Sequence, residues 1–163
     1  MTVELATEVL ALARAQGVTI ATAESCTGGL IIGALTEIAG SSDVVDRGFI
    51  TYSNAAKIEM LGILPATLDA HGAVSEQIAR EMAEGALTRG GVGLAVSVTG
   101  IAGPGGSEHK PEGRVCFGLA QTGRACRVET VEFGALGRSN VRAQTVIHAL
   151  NLLKTALGHP TQG

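Results

Sequence analysis

The sequence predicts an α/β fold: a three-layer α/β/α sandwich on a mixed, partly parallel sheet. Three observations carry this expectation. Helical apolar patterns alternate with short β-branched runs through the first two thirds of the chain. Two alternating segments late in the chain flank Thr122-Gly123-Arg124, the pattern of an antiparallel hairpin. The 163 residues are 45% hydrophobic and only 17% charged, with 23 glycines, which fits tight strand-to-helix turns around a real core better than disorder. That length suits one ordinary domain, so residues 1–163 are read as a single unit without linker or internal repeat.

The elements follow in order. Val3, Ala6, Leu10 and Ala13 share a helical face, and Gly17 stops that helix. Val18 to Thr22 reads as a buried strand. A turn at Glu24-Ser25 leads into a mostly apolar helix from Thr27 to Ile38, closed at Gly40. Phe49 to Tyr52 is the next strand candidate. Ser53 is placed to cap a helix from Asn54 to Leu61, which Gly62 ends. Ser75 caps a second, longer helix, Glu76 to Arg89, with Glu76 favourable in the first turn and Gly90-Gly91 as the stop. Val92 to Thr99 reads as a strong buried strand, followed by a glycine-rich loop from Gly100 to Gly113. Arg114 to Gln121 and Ala125 to Phe133 form the hairpin. Val146, Leu150, Leu153 and Leu157 put a core stripe on the last helix, and the tail after Gly158 is expected to be loose.

Composition excludes several classes of function. A net charge of −3 and 2% aromatic residues give neither a basic surface nor stacking platforms, which argues against nucleic-acid binding. Cys26, Cys116 and Cys126 are odd in number and lack CxxC spacing, as expected of reduced thiols, and the hairpin turn puts Cys116 and Cys126 out of register. The N-terminus lacks the pattern of a signal peptide, and no run of about 18 apolar residues would span a membrane. A cytoplasmic protein is expected. His71, His109, His148 and His159 are far apart and form no ligand set, so no metal is expected, and no motif asks for a cofactor. A homo-oligomer stays open, because pattern alone does not separate an apolar interface from core.

Three polar, glycine-rich clusters fall where strands end, the edge at which open α/β sheets bind ligands. The first is Ala23-Glu24-Ser25-Cys26-Thr27-Gly28-Gly29. Its small residues permit close approach, and a helix start offers unpaired N–H groups to an oxyanion or anion. Ser25 there suits a nucleophile and suits an N-cap as well. The second is Thr51-Tyr52-Ser53-Asn54-Ala55-Ala56-Lys57, holding the only tyrosine. Lys57 is either a solvated cation or a base whose pKa, ordinarily about 10.4, has been lowered by burial or a neighbouring cation. The third is Thr99-Gly100-Ile101-Ala102-Gly103-Pro104-Gly105-Gly106. It lacks the ending of a P-loop and the helix of a dinucleotide fingerprint, and reads as a substrate loop or a plain connection.

Together these motifs, with Lys110-Pro111-Glu112-Gly113, resemble the C-terminal domain family of the competence/damage-inducible protein CinA, from the first helix to about Leu153. The stand-alone members of that family are nicotinamide-nucleotide amidases. The resemblance implies the same three-layer fold and hydrolysis of nicotinamide mononucleotide to nicotinate mononucleotide and ammonia. It implies a serine nucleophile supported by lysine and tyrosine, falling here on Ser25, Lys57 and Tyr52. The family's Gly-Asp-Arg segment is Leu136-Gly137-Arg138 here, so the Asp is missing while Arg138 and Arg142 remain. Full-length CinA proteins carry a further N-terminal domain whose activity is not expected of this chain.

The expected mechanism has Ser25 Oγ attack the carboxamide carbon, neutral Lys57 take its proton, and Tyr52 relay or donate one to the departing ammonia. N–H groups near Cys26 and Thr27 would hold the oxyanion. A pyridine nucleotide is the expected partner. Glu24, Cys26, Thr27, Gly28, Thr99, Gly100, Gly103 and Arg142 are the expected substrate-binding residues. Arg142, Arg138 and the N–H groups of the Gly100–Gly106 loop are the open candidates for the phosphate, Arg142 being favoured over Lys110 because its fork matches phosphate oxygens. Two rivals stand beside this: Cys26 as a thiol nucleophile at a helix start, and the same pocket as a non-catalytic nucleotide sensor or accessory domain.

Overall fold

In the computed structural model, which describes residues 1–158, the chain runs through α1 (Thr2–Gln16), β1 (Ile20–Glu24), α2 (Leu30–Thr36) and a 3₁₀ turn (Ser41–Asp43) to β2 (Val45–Ile50). It continues through α3 (Asn54–Leu61), α4 (Pro65–His71), α5 (Glu76–Gly90), β3 (Leu94–Gly100), β4 (Arg114–Gln121), β5 (Arg127–Glu132) and α6 (Arg138–Gly158). The tail expected to be loose, His159 to Gly163, lies outside the described residues.

The five strands form one sheet in the order β2-β1-β3-β4-β5. β1 pairs in parallel with both β2 and β3, whereas β3–β4 and β4–β5 are antiparallel. The sheet is therefore the mixed, partly parallel one expected. α1, α2 and α6 cover one face and α3, α4 and α5 the other, giving three layers. β1 and β3 carry almost nothing but small and branched residues and are buried throughout, apart from the half-buried Gly100 at the end of β3, because helices close both faces. On one face Leu10, Ile20, Leu94, Phe117, Leu150 and Leu153 belong to a single apolar cluster; on the other, Ile78 and Met82 of α5 pack with Ala95 and Leu61.

Most caps read from the sequence are present; Gly40 does not close α2, which ends at Thr36 with Glu37 after it. Ser53 Oγ accepts from Ala56 N–H at 3.0 Å and Ser75 Oγ from Ile78 N–H at 3.2 Å. Gly17, Gly62 and Gly91 close their helices in the left-handed conformation.

The differences from expectation have local causes. α2 starts at Leu30 rather than Thr27, because Gly28 and Gly29 sit at φ 58° and 106° and break the helical path. β1 lies two residues later than Val18–Thr22. β2 begins at Val45, well before Phe49; it is an edge strand with Asp46 and Arg47 in its span, so its apolar signal is weak. α4 was not expected at all. It has no side-chain cap and buries no residue, so periodicity had nothing to report beyond Pro65 at its first turn. Cys116 faces Thr130 across β4–β5 while Cys126 precedes β5, and all three cysteines are free. No described helix is long and apolar enough to cross a membrane, and no described group of three or more His, Cys, Asp or Glu residues could hold a metal.

Candidate active site

The three parallel strands β2, β1 and β3 all end at one edge of the sheet. β1 crosses through α2 to β2 on one side, while its other neighbour, β3, arrives from the opposite layer of helices. The chain thus diverges at the carboxyl ends of β1 and β3, the position where open α/β sheets form a crevice. All three motif clusters meet there. A cavity of about 210 Å³ is lined by Ser25 and Cys26 after β1, Tyr52, Asn54 and Lys57 after β2, Thr99 and Gly100 at the end of β3, and Ile101 and Ala102 after it. Ser107, Glu108 and Arg138 complete its rim.

The turn carrying Ser25 is built around a buried carboxylate. Glu24, fully buried, accepts hydrogen bonds from Thr22 Oγ1 (2.9 Å), Thr27 Oγ1 (2.7 Å), Ile31 N–H (2.9 Å) and Ile32 N–H (2.9 Å). The last two are orphan donors of the first turn of α2, where a negative charge is favourable. Glu24 therefore ties the end of β1 to the start of α2 and sets the path of the residues between them. It does not face the cavity.

Lys57 is among the large fully buried side chains, 1% exposed. Its Nζ lies 3.1 Å from Ser25 Oγ, 3.0 Å from Thr51 O and 3.3 Å from Tyr52 O. As an ammonium Nζ donates to all three oxygens, and the neutral amine can also be accommodated. In the neutral form two N–H groups would keep the two carbonyls and the lone pair would be free to accept from the Ser25 hydroxyl, the arrangement a general base needs. Burial pushes the Lys57 pKa below its ordinary value, against a smaller opposing pull from Cys26 and Glu108. Burial also acts on the neighbouring Cys26 thiol, raising it to about 11. A thiol so placed is protonated at neutral pH and a poor nucleophile, which removes the support that a helix start would have given it.

Several residues expected to bind substrate lie away from the cavity, while Cys26, Thr99 and Gly100 line it. Thr27 is fully buried on Glu24, and neither it nor Gly28, Gly103 or Glu24 lines the cavity. Arg142 does not line it either. Its guanidinium donates to Cys26 O at 3.1 Å and Thr27 O at 3.2 Å, so it buttresses the serine turn from behind. The arginine at the cavity is Arg138, which donates to Gly103 O at 2.7 Å and to the Tyr52 hydroxyl at 2.9 Å. Tyr52 itself is 62% exposed. Its hydroxyl bonds Arg138 and neither Ser25 nor Lys57, so a direct proton relay through it has no hydrogen-bonded path here.

Sequence reasoning also missed residues of the site. Ser107 and Glu108 line the cavity although no motif holds them, and Asn54, inside the second cluster, lines it although no role was attached to it. Glu108 and His109 stood in the glycine-rich loop without a signal, because their left-handed backbone, φ 51° and 65°, is a conformation that sequence rules assign to glycine or asparagine.

Known proteins agree with this architecture. Residues 2–157 match the family model described as the CinA C-terminal domain. The chain is 53% identical over 149 residues, 90% of each chain, to a protein of Enterobacter agglomerans named nicotinamide-nucleotide amidohydrolase PncC. Its counterpart in Escherichia coli is 48% identical, over 92% of this chain and 91% of that one. A CinA-like protein of Chlorobium phaeobacteroides is 58% identical over 125 residues, but this chain spans only 30% of its length. Among solved structures, the competence/damage inducible protein CihA from Agrobacterium tumefaciens superposes with a TM-score of 0.92 at 50% identity, covering 97% of this chain and 96% of that one. A CinA superfamily protein from Klebsiella pneumoniae superposes at 0.94 with 37% identity, covering 98% and 99%. With the family model matched over nearly its whole length, the chain belongs to the CinA C-terminal domain family.

Proposed function

We propose that the chain is a nicotinamide-nucleotide amidase that hydrolyses nicotinamide mononucleotide to nicotinate mononucleotide and ammonia. The observation that carries this reading is the Ser25–Lys57 pair: a buried lysine with a lowered pKa, 3.1 Å from a serine hydroxyl, at the crevice of the sheet. A nucleotide sensor has no need of a desolvated base held against a hydroxyl, so the pair favours turnover over the accessory-domain reading. The name carried by relatives of the same length points to the amide.

Ser25 Oγ attacks the carboxamide carbon as its proton passes to Lys57 Nζ. The carbonyl oxygen becomes an oxyanion, and the backbone N–H at the serine turn that faces the cavity is a donor for it. Among the described residues, the Ser25 N–H is committed to Val98 O, while that of Cys26, which lines the cavity, bonds no other residue. One such donor is worth about 3 kcal/mol at the transition state. The tetrahedral intermediate collapses by breaking the C–N bond, and protonated Lys57 returns its proton to the leaving nitrogen, releasing ammonia. Water then attacks the acyl-enzyme with Lys57 again as base, and the carboxylate product leaves Ser25 free. Tyr52 walls the cavity rather than carrying the proton. Of the two candidate arginines, Arg138, at the rim, is the partner for the phosphate.

Ammonia release from nicotinamide mononucleotide, with Ser25→Ala beside the wild type, tests the reading. Turnover that vanishes in the variant supports amidase and nucleophile together. Turnover that survives overturns the serine mechanism, and binding without ammonia release by the wild type favours the sensor reading.

A further inference from the structure

The cavity has a charged wall that the hydrolysis does not use. Glu108 is the only carboxylate among its lining residues. It sits on a two-residue turn in which Ser107 N–H donates to Lys110 O at 3.0 Å and Lys110 N–H to Ser107 O at 2.8 Å. Both residues inside the turn, Glu108 and His109, hold left-handed backbone that side chains normally avoid. Such a conformation persists only where its surroundings over-determine it, and it clusters at ligand sites. The surroundings here do so. Lys110 Nζ donates to His71 O at 2.9 Å and Val74 O at 2.6 Å, and Gly106 lies so near that a Cβ on it would come within 2.4 Å of Lys110 O. The carboxylate rests against Gly72, where a Cβ would stand 3.1 Å from Oε2.

The charges around Glu108 are those of Lys110, Lys57 and Arg138. Lys110 is occupied by two carbonyls, Arg138 by Gly103 O and the Tyr52 hydroxyl, and Glu108 forms no ion pair among the described residues. An unpaired carboxylate on one side of the cavity and a guanidinium on another make a dipolar receptor.

We propose that Glu108 selects a cationic aromatic ring, its carboxylate pairing with the charge of an N-substituted pyridinium whose amide reaches Ser25. The identity of the ring rests on the amidase reading; the preference for positive charge rests on the cavity alone. The pairing also serves the base. Without a ligand, Glu108 favours the ammonium form of Lys57, and a cation docked against the carboxylate offsets that pull.

The test is calorimetric titration, at low ionic strength, of 1-methylnicotinamide and nicotinamide, which differ by one methyl group and one positive charge. The proteins are the wild type, Glu108→Gln and Glu108→Asp, each checked for an unchanged melting temperature. The wild type is expected to prefer the cation by about three- to fivefold, the worth of an exposed ion pair. Glu108→Gln should bring the two affinities to parity, Glu108→Asp should keep most of the preference, and added salt should weaken it. Equal affinities in the wild type, a preference unchanged in Glu108→Gln, or binding of neither probe would overturn the proposal. Ammonia release is scored separately: a charge preference without it leaves Glu108 in place and removes the amidase reading.

Discussion

Lys57 is where the local chemistry of the site concentrates. Its base function requires the neutral amine, so the rate of amide hydrolysis should rise with pH through a pKa lying below 10.5 and fall away in acid. A pH–rate profile checks this. Lys57→Arg should lose at least about a hundredfold in kcat, since a guanidinium stays protonated. The same burial makes a stability prediction. Because folded Lys57 binds its proton less tightly than unfolded Lys57, the unfolded state holds more protons between the lowered pKa and 10.5, and stability rises with pH across that window. Lys57→Met, measured by urea unfolding, should therefore gain most over the wild type at low pH and lose that advantage as pH approaches 10.5. Glu24 belongs to the same scale. In Glu24→Gln an NH₂ group replaces one acceptor oxygen, so at least one of the buried donors around it faces another donor. About 2–3 kcal/mol should be lost by the same urea measurement. The Cys26 thiol, held near 11 by burial, should react slowly with iodoacetamide at neutral pH.

Among the elements, the legible ones carry their signal in local chemistry. α5 shows this best. Ser75, the apolar face of Ile78, Ala79, Met82 and Ala86, and the glycine stop are all readable residues, and all are present. α4 and β2 were missed or misplaced because a helix that buries nothing and an edge strand with charges in it leave no periodicity. Contacts between elements were also invisible to pattern. A Cβ on Gly118 of β4 would lie 2.4 Å from Ala79 O and 2.5 Å from Ser97 Oγ, so this glycine lets α5 settle on the sheet. Ser97 Oγ fastens the contact by donating to Ala79 O at 2.6 Å. Gly118→Ala should cost about 1–3 kcal/mol, with the loss appearing in thermal or urea unfolding.

For the molecule as a whole, the two helical layers share one sheet, and we propose that the chain unfolds as one cooperative unit. Circular dichroism and tyrosine fluorescence, from Tyr52 beside the cavity, should then report coincident transitions. Leu153→Ala, at a fully buried position on α6, should shift both by about 2–5 kcal/mol. Separated transitions would count against the single unit.

The sequence by itself determined the layer class, the capped helices, and the motifs at which chemistry would gather, because caps, periodicity and glycine turns are encoded within a few neighbouring residues. It also marked Ser25, Tyr52 and Lys57, through resemblance rather than spacing. Only the tertiary structure decided their roles. Lys57 and Ser25 are 32 residues apart, and their contact exists because β1 and β2 end side by side. Arg142 and Arg138 look alike in sequence, one turn apart on α6. Folding turns the first onto the Cys26 and Thr27 carbonyls and the second onto the cavity rim. Burial, which sets the charge on Lys57 and the inertness of Cys26, is a property of the assembled layers and of no segment alone.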